Sequence, residues 1–517
     1  MSIATVASRS LSGLATSPVR VEVDLSPGLP NLIIVGLPST AVREARERVR
    51  AAIQNAGFSF PSSRRVTVNL APADLPKDSG RFDLAIALGI LAAGGLIPPA
   101  VLEGRAFAGE LSLSGDLLPI RAGFVFGLSA LADEGLRQLV LPAANSAELT
   151  RLGAGERIVV AAHLAEVVAA LQGRGPWQRV PTPRLESPPL APGEPALCWE
   201  DVQGQDEAKR AAVVAAAGGH SLLLTGPPGV GKSMVAQRLP SLLPALSPEA
   251  ARTVAALQSL QHGTPVEAIG DLDWARPPYR APHHSVSTAA LIGGGQPIRP
   301  GELSLAHAGV LFLDELPEFG RAALEALREP LETGEVRVAR VHDRQVLPAA
   351  PLLVAAMNPC PCGFYGANHL TRRCACTPEQ VTRYRGRLSG PLLDRFDLAV
   401  QLSWPRKAGS GVAQPSLEAV ARARARALDR QGRLNAALPV GDIEQYVRLD
   451  PKAKRLLAQT AEHLGWSLRV QHRLTRVAQT VADLSDLPAG ELIGVSEMAA
   501  AISLRRALDP PAALRAG

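Results

Sequence analysis

Gly226-Pro227-Pro228-Gly229-Val230-Gly231-Lys232-Ser233 is a run of residues suited to holding phosphate. Glycines let backbone N–H groups turn inward around an anion, and a helix starting at the end of the run adds a favourable dipole. Lys232 is placed to reach the β- and γ-phosphates of a nucleoside triphosphate, and the Ser233 hydroxyl to ligate Mg2+. The context agrees: residues 221–225 read as a strand before the loop and residues 234–243 as a helix after it. A second element is Val310-Leu311-Phe312-Leu313-Asp314-Glu315. An apolar run ending in two carboxylates reads as a buried parallel strand that delivers them to its carboxyl end, where ligands bind in doubly wound sheets. Asp314 then positions Mg2+ through water, and Glu315 polarises the attacking water as general base. An apolar strand ending in Asp-Glu is common by itself; paired with the phosphate loop it is strong evidence for a nucleotide-hydrolysing site. A third strand, 352–356, leads to the polar Asn358, where Asn-Pro also favours a turn.

Four of the five cysteines fall in one short stretch, as Cys360-Pro-Cys362 and Cys374-Ala-Cys376. Four thiolates suit a tetrahedral Zn2+. Free thiols or a redox pair are the alternatives, and His369 is available to replace one thiolate. Adjacent His283 and His284 suggest a metal less well, because neighbours on an extended chain point opposite ways. From Glu332 to Pro348, valines alternate with Arg337, Arg340 and Arg344, which reads as a β-hairpin carrying basic side chains. Such a hairpin could hold DNA phosphates with salt-sensitive affinity, or could simply be exposed.

These pieces need a scaffold of several domains, since single cores stop growing near ~250–300 residues and the chain has 517. Residues 1–175 read as mixed α/β, with strands at 19–25, 31–36 and 66–70 and helices at 40–56 and 82–93. Residues 176–197 are proline-rich and aperiodic, a linker. Residues 198–405 alternate strands and helices as a three-layer parallel sheet requires, with a fourth strand at 398–402. Residues 406–416 form a second linker, and 417–517 are Ala/Leu/Arg-rich and periodic, a helical lid. No apolar run is long enough to span a membrane and no signal-peptide pattern opens the chain, so a cytoplasmic protein is expected. The formal charge of +6 permits nucleic-acid binding without requiring it.

Taken together, the motifs resemble the AAA+ class of P-loop ATPases and, more narrowly, the ComM/YifB family of magnesium-chelatase-like AAA+ ATPases. The narrower likeness rests on Arg280-Ala-Pro-His-His284, Gly301-Glu-Leu-Ser-Leu-Ala-His307, Leu311-Phe-Leu-Asp-Glu-Leu-Pro-Glu-Phe319, Asn358-Pro-Cys-Pro-Cys-Gly363 and Ser389-Gly-Pro-Leu-Leu-Asp-Arg-Phe-Asp397, and it runs through essentially the whole chain. The resemblance implies that Asn358 senses the γ-phosphate. It implies that Arg395 is an arginine finger for a neighbouring subunit, with Arg383, Arg385 and Arg387 as competitors and a local pair with Asp394 or Asp397 as the plain alternative. It also implies that a lid arginine faces the nucleotide, Arg469 first and Arg473 second. The family further implies a homo-hexamer using ATP and Mg2+ for branch migration of DNA, branched or single-stranded, during natural transformation and homologous recombination. Residues 1–175 resemble the Lon-type protease domain, with Pro76-Lys-Asp-Ser-Gly80 like its serine loop and Gly109–Ile120 like its following hairpin. Where the protease pattern has a lysine, this chain has Gly123, Phe124 and Val125, so a fold kept without proteolysis is expected. A chelatase-type ATPase that remodels a protein partner is the second reading, and a Lon-like ATP-dependent protease the third.

Overall fold

A computed structural model describes residues 2–508, apart from 37–39, 74–79, 154, 182–196, 262–274, 296, 341–342, 367–371, 405–413 and 489. The serine loop with Lys77 and Ser79, His369, and most of both linkers lie outside the described residues.

The amino-terminal region is built on an eight-stranded mixed sheet. Its order is Gln178–Arg179, Ile158–Ala161, Gln138–Pro142, Arg105–Phe107, Ser2–Ser12, Ala15–Ser26, Arg65–Ala71, Asn31–Val35. The sequence pattern anticipates the last three of these. It misses Ser2–Ser12, which pairs from Ser2↔Leu25 to Ser12↔Ala15 around the left-handed Gly13. The reason is chemical: its inward positions include Ser8 and Ser10, which are buried but polar and break the apolar alternation. Ser8 stays satisfied by donating to the Phe107 carbonyl at 2.7 Å. Gln178–Arg179 pairs with Val159–Val160, so the sheet extends into the residues expected to begin the linker. Every residue of the helix Asp83–Ala93 is buried, as the apolar run from Leu84 onward requires, and Asp83 at its start is buried with them.

The central region is a five-stranded parallel sheet in the order Tyr279–Arg280, Val310–Leu313, Leu352–Met357, Leu222–Thr225, Leu398–Gln401. Strand alternation sorts the two faces. Leu222, Leu224, Phe312, Val354 and Val400 pack with the helices Asp206–Gly218 and Lys232–Arg238 and with the lid. Leu223, Leu311, Leu313, Ala355 and Ala399 pack on the other side with Leu257, Leu324, Tyr384 and Leu392. The helix after the phosphate loop starts at Lys232 and ends at Arg238, continuing as a tighter turn over Leu239–Leu242. Pro240 lacks the N–H that another α turn would need.

The lid contains the helices Leu417–Gln431, Pro451–Leu464, Leu468–Leu484 and Val495–Ser503. Three start on residues whose side chains accept from the first turn: Ser416, Asp450 and Ser467. No helix among the described residues is long and apolar enough to cross a membrane.

The amino-terminal and central regions share a core. Phe124 and Val125 pack with Leu257 and Leu260. The Arg121 guanidinium donates to the carbonyls of Leu260 and Ile298, and Ser259 donates to Glu148 at 2.7 Å.

Candidate active site

Lys232, Ser233, Asp314 and Asn358 meet at the carboxyl edge of the parallel sheet, with Glu315 beside Asp314. Lys232, nearly buried, donates to the carbonyls of Gly226 and Pro227 at 2.7 and 2.9 Å and to Asn358 Oδ1 at 3.0 Å. Burial lowers its pKa, against the pull of Asp314 and Glu315. These three acceptors match the three donors of the ammonium, so a phosphate would take over one or more of them. Ser233 Oγ donates to Asp314 Oδ2 at 2.9 Å, so the two expected Mg2+ partners already face each other. Gly229 and Gly231 take left-handed φ of 75° and 101°, which turns the loop and releases it into the helix at Lys232.

Glu315 follows its strand with φ +52°, a left-handed conformation unusual for a side-chain-bearing residue and costing of order 1–3 kcal/mol. Its carboxylate lies 3.2 Å from His284 Nδ1. The His284 ring sits against His283, with centroids 4.0 Å apart, and edge-on to Phe319 at 6.5 Å. Sequence reasoning considered this histidine pair only as a metal site and missed the contact with Glu315. The available signal was its place just beyond the strand Tyr279–Arg280, which neighbours the strand bearing Glu315.

The predicted arginines are elsewhere. Arg395, Arg469 and Arg473 line one cavity of about 650 Å3 together with Glu332, Asp397, Arg424 and Arg476. Arg395 pairs with Glu332 at 3.0 Å and donates to the carbonyls of Pro391 and Arg328. Arg469 also pairs with Glu332, and Arg473 pairs with Asp397 at 2.5 Å. This cavity opens at the amino edge of the sheet, beside Ser221 and Leu352. The four-residue strand Leu222–Thr225 separates Ser221 from Gly226, about 16 Å over five steps of roughly 3.3 Å. Arg469 and Arg473 therefore do not face their own chain's phosphate loop, whatever lid role is assigned to them. The competitor Arg385 donates to the Pro359 carbonyl and lies over Tyr365, and Arg387 pairs with Glu318 at 2.7 Å, both nearer the carboxyl edge.

The four cysteine sulfurs lie within 4.8 Å of one another. Cys360 Sγ is 3.3 Å from Cys362 Sγ and 3.7 Å from Cys374 Sγ. Against burial, the N–H groups of Phe364 and Ala375 pull Cys362 down to about 6. Burial and the neighbouring sulfurs push Cys374 up to about 12. Sulfurs this close resist ionising together, and a dication would relieve that conflict, so the donor set fits Zn2+. The loop also touches the phosphate site: a Cβ on Gly363, at φ +84°, would lie 2.6 Å from Pro228 Cδ.

The chain matches family descriptions along its length: "Subunit ChlI of Mg-chelatase" over 21–145, "Magnesium chelatase, subunit ChlI" over 198–409, and "Magnesium chelatase, subunit ChlI C-terminal" over 414–505. It is 43% identical to protein YifB of Salmonella typhimurium over 491 residues, 94% of each chain. It is 42% identical to competence protein ComM of Haemophilus influenzae over 491 residues, again 94% of each. The chain belongs to the ComM/YifB family of magnesium-chelatase-like AAA+ ATPases. Membership implies ATP and Mg2+, which the carboxyl-edge residues fit. A shorter likeness, 25% over 164 residues, covers 30% of this chain and 21% of a peroxisomal Lon protease homolog of Caenorhabditis elegans.

In this family member, Gly123 has no room for any side chain: a Cβ would lie 2.3 Å from Glu148 Oε1 and 2.6 Å from Asn145 Nδ2. Phe124 and Val125 are fully buried against the central region. The basic hairpin forms as Glu335–Arg340 paired with Asp343–Pro348, and it exposes Arg337 beside Glu335. The side chains of Arg340 and Arg344 lie outside the described residues.

Proposed function

We propose that this protein is a ring motor, a homo-hexamer, that hydrolyses ATP to drive branch migration of DNA, aiding integration of incoming DNA by recombination. The observation carrying the motor reading is the split between the two edges of one sheet. Lys232, Ser233, Asp314, Glu315 and Asn358 gather at the carboxyl edge, while Arg395, Arg469 and Arg473 gather at the amino edge. A nucleotide on one chain gains those arginines only from another chain, as a ring of identical subunits supplies them.

In this reading the loop Gly226–Ser233 cradles the triphosphate and Lys232 neutralises its outer oxygens. Ser233 and Asp314 hold Mg2+, which withdraws charge from the phosphates when bound. Glu315 takes the proton of the attacking water, and Asn358 orients that water or the γ-phosphate. The arginines of the adjacent subunit stabilise charge that develops on transfer. Zn2+ on Cys360, Cys362, Cys374 and Cys376 is structural and fastens the loop after Asn358. The division into residues 1–175, 198–405 and 417–517 makes these one supporting, one catalytic and one lid unit, with the first non-proteolytic.

DNA as the track is supported by the competence name of the Haemophilus relative and by the basic hairpin with Arg337. The alternative, remodelling of a protein partner, is favoured by the chelatase-subunit family matches. ATP turnover measured with and without branched DNA, beside Lys232→Ala and Glu315→Gln, separates them. Stimulation that both variants abolish supports the DNA motor. Turnover indifferent to DNA at low salt moves the assignment to a protein partner.

A further inference from the structure

We infer that His220 is a positioning residue that fixes the lid helix in register with the strand start bearing Arg395, so that the arginines act as one block. The inference rests on the reading that these arginines serve a neighbouring subunit's nucleotide.

His220 lies in the turn Gly218-Gly219-His220-Ser221, between the helix Asp206–Gly218 and the strand Leu222–Thr225. Its side chain is fully buried, and both ring nitrogens are engaged. Nδ1 is 3.3 Å from Asp397 Oδ2, and Nε2 is 2.7 Å from Thr480 Oγ1. The imidazole thus joins two elements 83 residues apart in sequence, the edge of the sheet and the lid helix Leu468–Leu484. Its neighbour Gly218 leaves the space for it. A Cβ there would fall 2.3 Å from the ring and 2.5 Å from Thr480 Oγ1.

Each partner of His220 is held by further bonds. Asp397 accepts from Arg473 Nη1 through its other oxygen, and its backbone N–H donates to Ser221 Oγ at 3.0 Å. Burial alone would push the Asp397 carboxyl up, but Arg473 and His220 outweigh it and hold it well below the usual carboxylate range. Arg473 Nη1 also donates to the Arg395 carbonyl at 2.9 Å. On the lid side, Thr480 meets Asn435 Nδ2 at 2.9 Å, and Asn435 donates to Asp483 Oδ2 at 2.8 Å. Arg430 grips both oxygens of Asp483.

The lid helix shows why one histidine can set several arginines. Arg469, Arg473, Arg476, Thr480 and Asp483 recur at spacings of four, three, four and three, a single stripe on one helix face. Fixing Thr480 fixes the rotation of that stripe. The Nε atoms of Arg473 and Arg476 are buried with no hydrogen-bond partner, so these guanidiniums are held with donors to spare beside the cavity that Arg395 and Arg469 line. Arg473 already ties the first half of this helix to Asp397 and Arg395, and His220 adds a second tie about two turns on, at Thr480, so that its loss leaves the helix held to the strand start at one point and able to turn about it.

The test uses His220→Asn and His220→Gln in the full-length protein. Asn keeps a donor near the Asp397 side and Gln one near the Thr480 side, so each cuts one half of the bridge. Each variant should lose about ten- to a hundredfold in kcat, the range for a hydrogen bond to a charged group, with KM for ATP within about twofold of wild type. The decisive measurement is mixing. Lys232→Ala subunits cannot use ATP but present intact arginines; His220 variants bind ATP but present misplaced ones. Mixed rings should hydrolyse ATP faster than the sum of the two alone, which a merely unfolded variant cannot produce. Arg473→Ala mixed with Lys232→Ala is the control. If the control pair complements and neither His220 variant does, the inference about His220 is overturned. If no pair complements, the arginines do not act between subunits and the underlying reading fails with it. Full turnover by both His220 variants alone would also overturn the inference.

Discussion

Gly363→Ala should weaken nucleotide binding through a collision that can be sized from the structure. Gly363 has φ +84°, and its new Cβ would sit 2.6 Å from Pro228 Cδ, inside the phosphate loop. Gly366, three residues later, has φ +69° and only Gln401 Nε2 within 4.0 Å. Both substitutions carry the left-handed cost of roughly 1–2 kcal/mol. Gly363→Ala adds an overpacking cost of about 1–3 kcal/mol, and Pro228 is the atom group that must move. If that extra cost is felt by the nucleotide-binding loop, affinity falls by about 5- to 150-fold, at 1.4 kcal/mol per decade. Titration of a fluorescent ATP analogue reads affinity without requiring hydrolysis, and a melting curve for each variant reads general damage. Gly366→Ala should melt lower yet bind nearly normally. Equal loss of affinity in the two variants, or normal affinity in Gly363→Ala, would refute the contact between cysteine loop and phosphate loop as a functional one.

Glu315→Gln should bind ATP but turn it over about 10²–10⁴-fold more slowly, the usual range for a general base; rapid single turnover would remove Glu315 from that role. His284→Ala should change kcat more than nucleotide affinity, because His284 touches the Glu315 carboxylate at 3.2 Å and its ring packs against His283 and Phe319. A pure affinity defect would contradict this. Each purified chain should carry one Zn2+, measured by elemental analysis, and Cys374→Ser should lower that content. Stoichiometry near zero in protein prepared without chelator would dismiss the metal. A pH effect is expected from Asp83, almost fully buried beside Arg48 at 3.0 Å, whose carboxyl is pushed up to about 7 by burial against the pull of Arg48. A folded value above the unfolded ~3.9 means the native state holds the extra proton, so this group's stabilisation is full at low pH and is lost as pH rises to about 7. The denaturation midpoint of Asp83→Asn should therefore fall less between pH 5 and pH 8 than that of wild type; identical slopes would rule the group out.

Much of the site was legible because its signals are local. The phosphate loop, the strand ending in Asp314-Glu315 and the four cysteines are short words in which spacing alone constrains geometry, and the structure brings each set together. The hairpin at Glu335–Pro348 was legible from its alternation of valine with arginine. What stayed hidden was long-range. The strand Ser2–Ser12 buries serines that carry no apolar period, and it is held by pairing with residues that come after its turn. His284 lies 31 residues before Glu315, and only the parallel pairing of their strands makes them neighbours.

An ATPase site, and the side chains able to bind phosphate and Mg2+, can be read along the chain, because glycine, lysine, hydroxyl and carboxylate chemistry is fixed by residue type and close spacing. Which end of the sheet each group occupies emerges with the folded sheet. Arg469 or Arg473 read as a lid arginine facing the nucleotide and Arg395 as a finger for a neighbouring subunit, and parallel strand pairing puts Arg395 and Asp397 level with Ser221, a strand's length from the phosphate loop of their own chain. Strand direction is a property of the folded sheet and not of any local run of residues, so the separation of phosphate-holding and arginine-bearing edges appears only once the sheet is assembled.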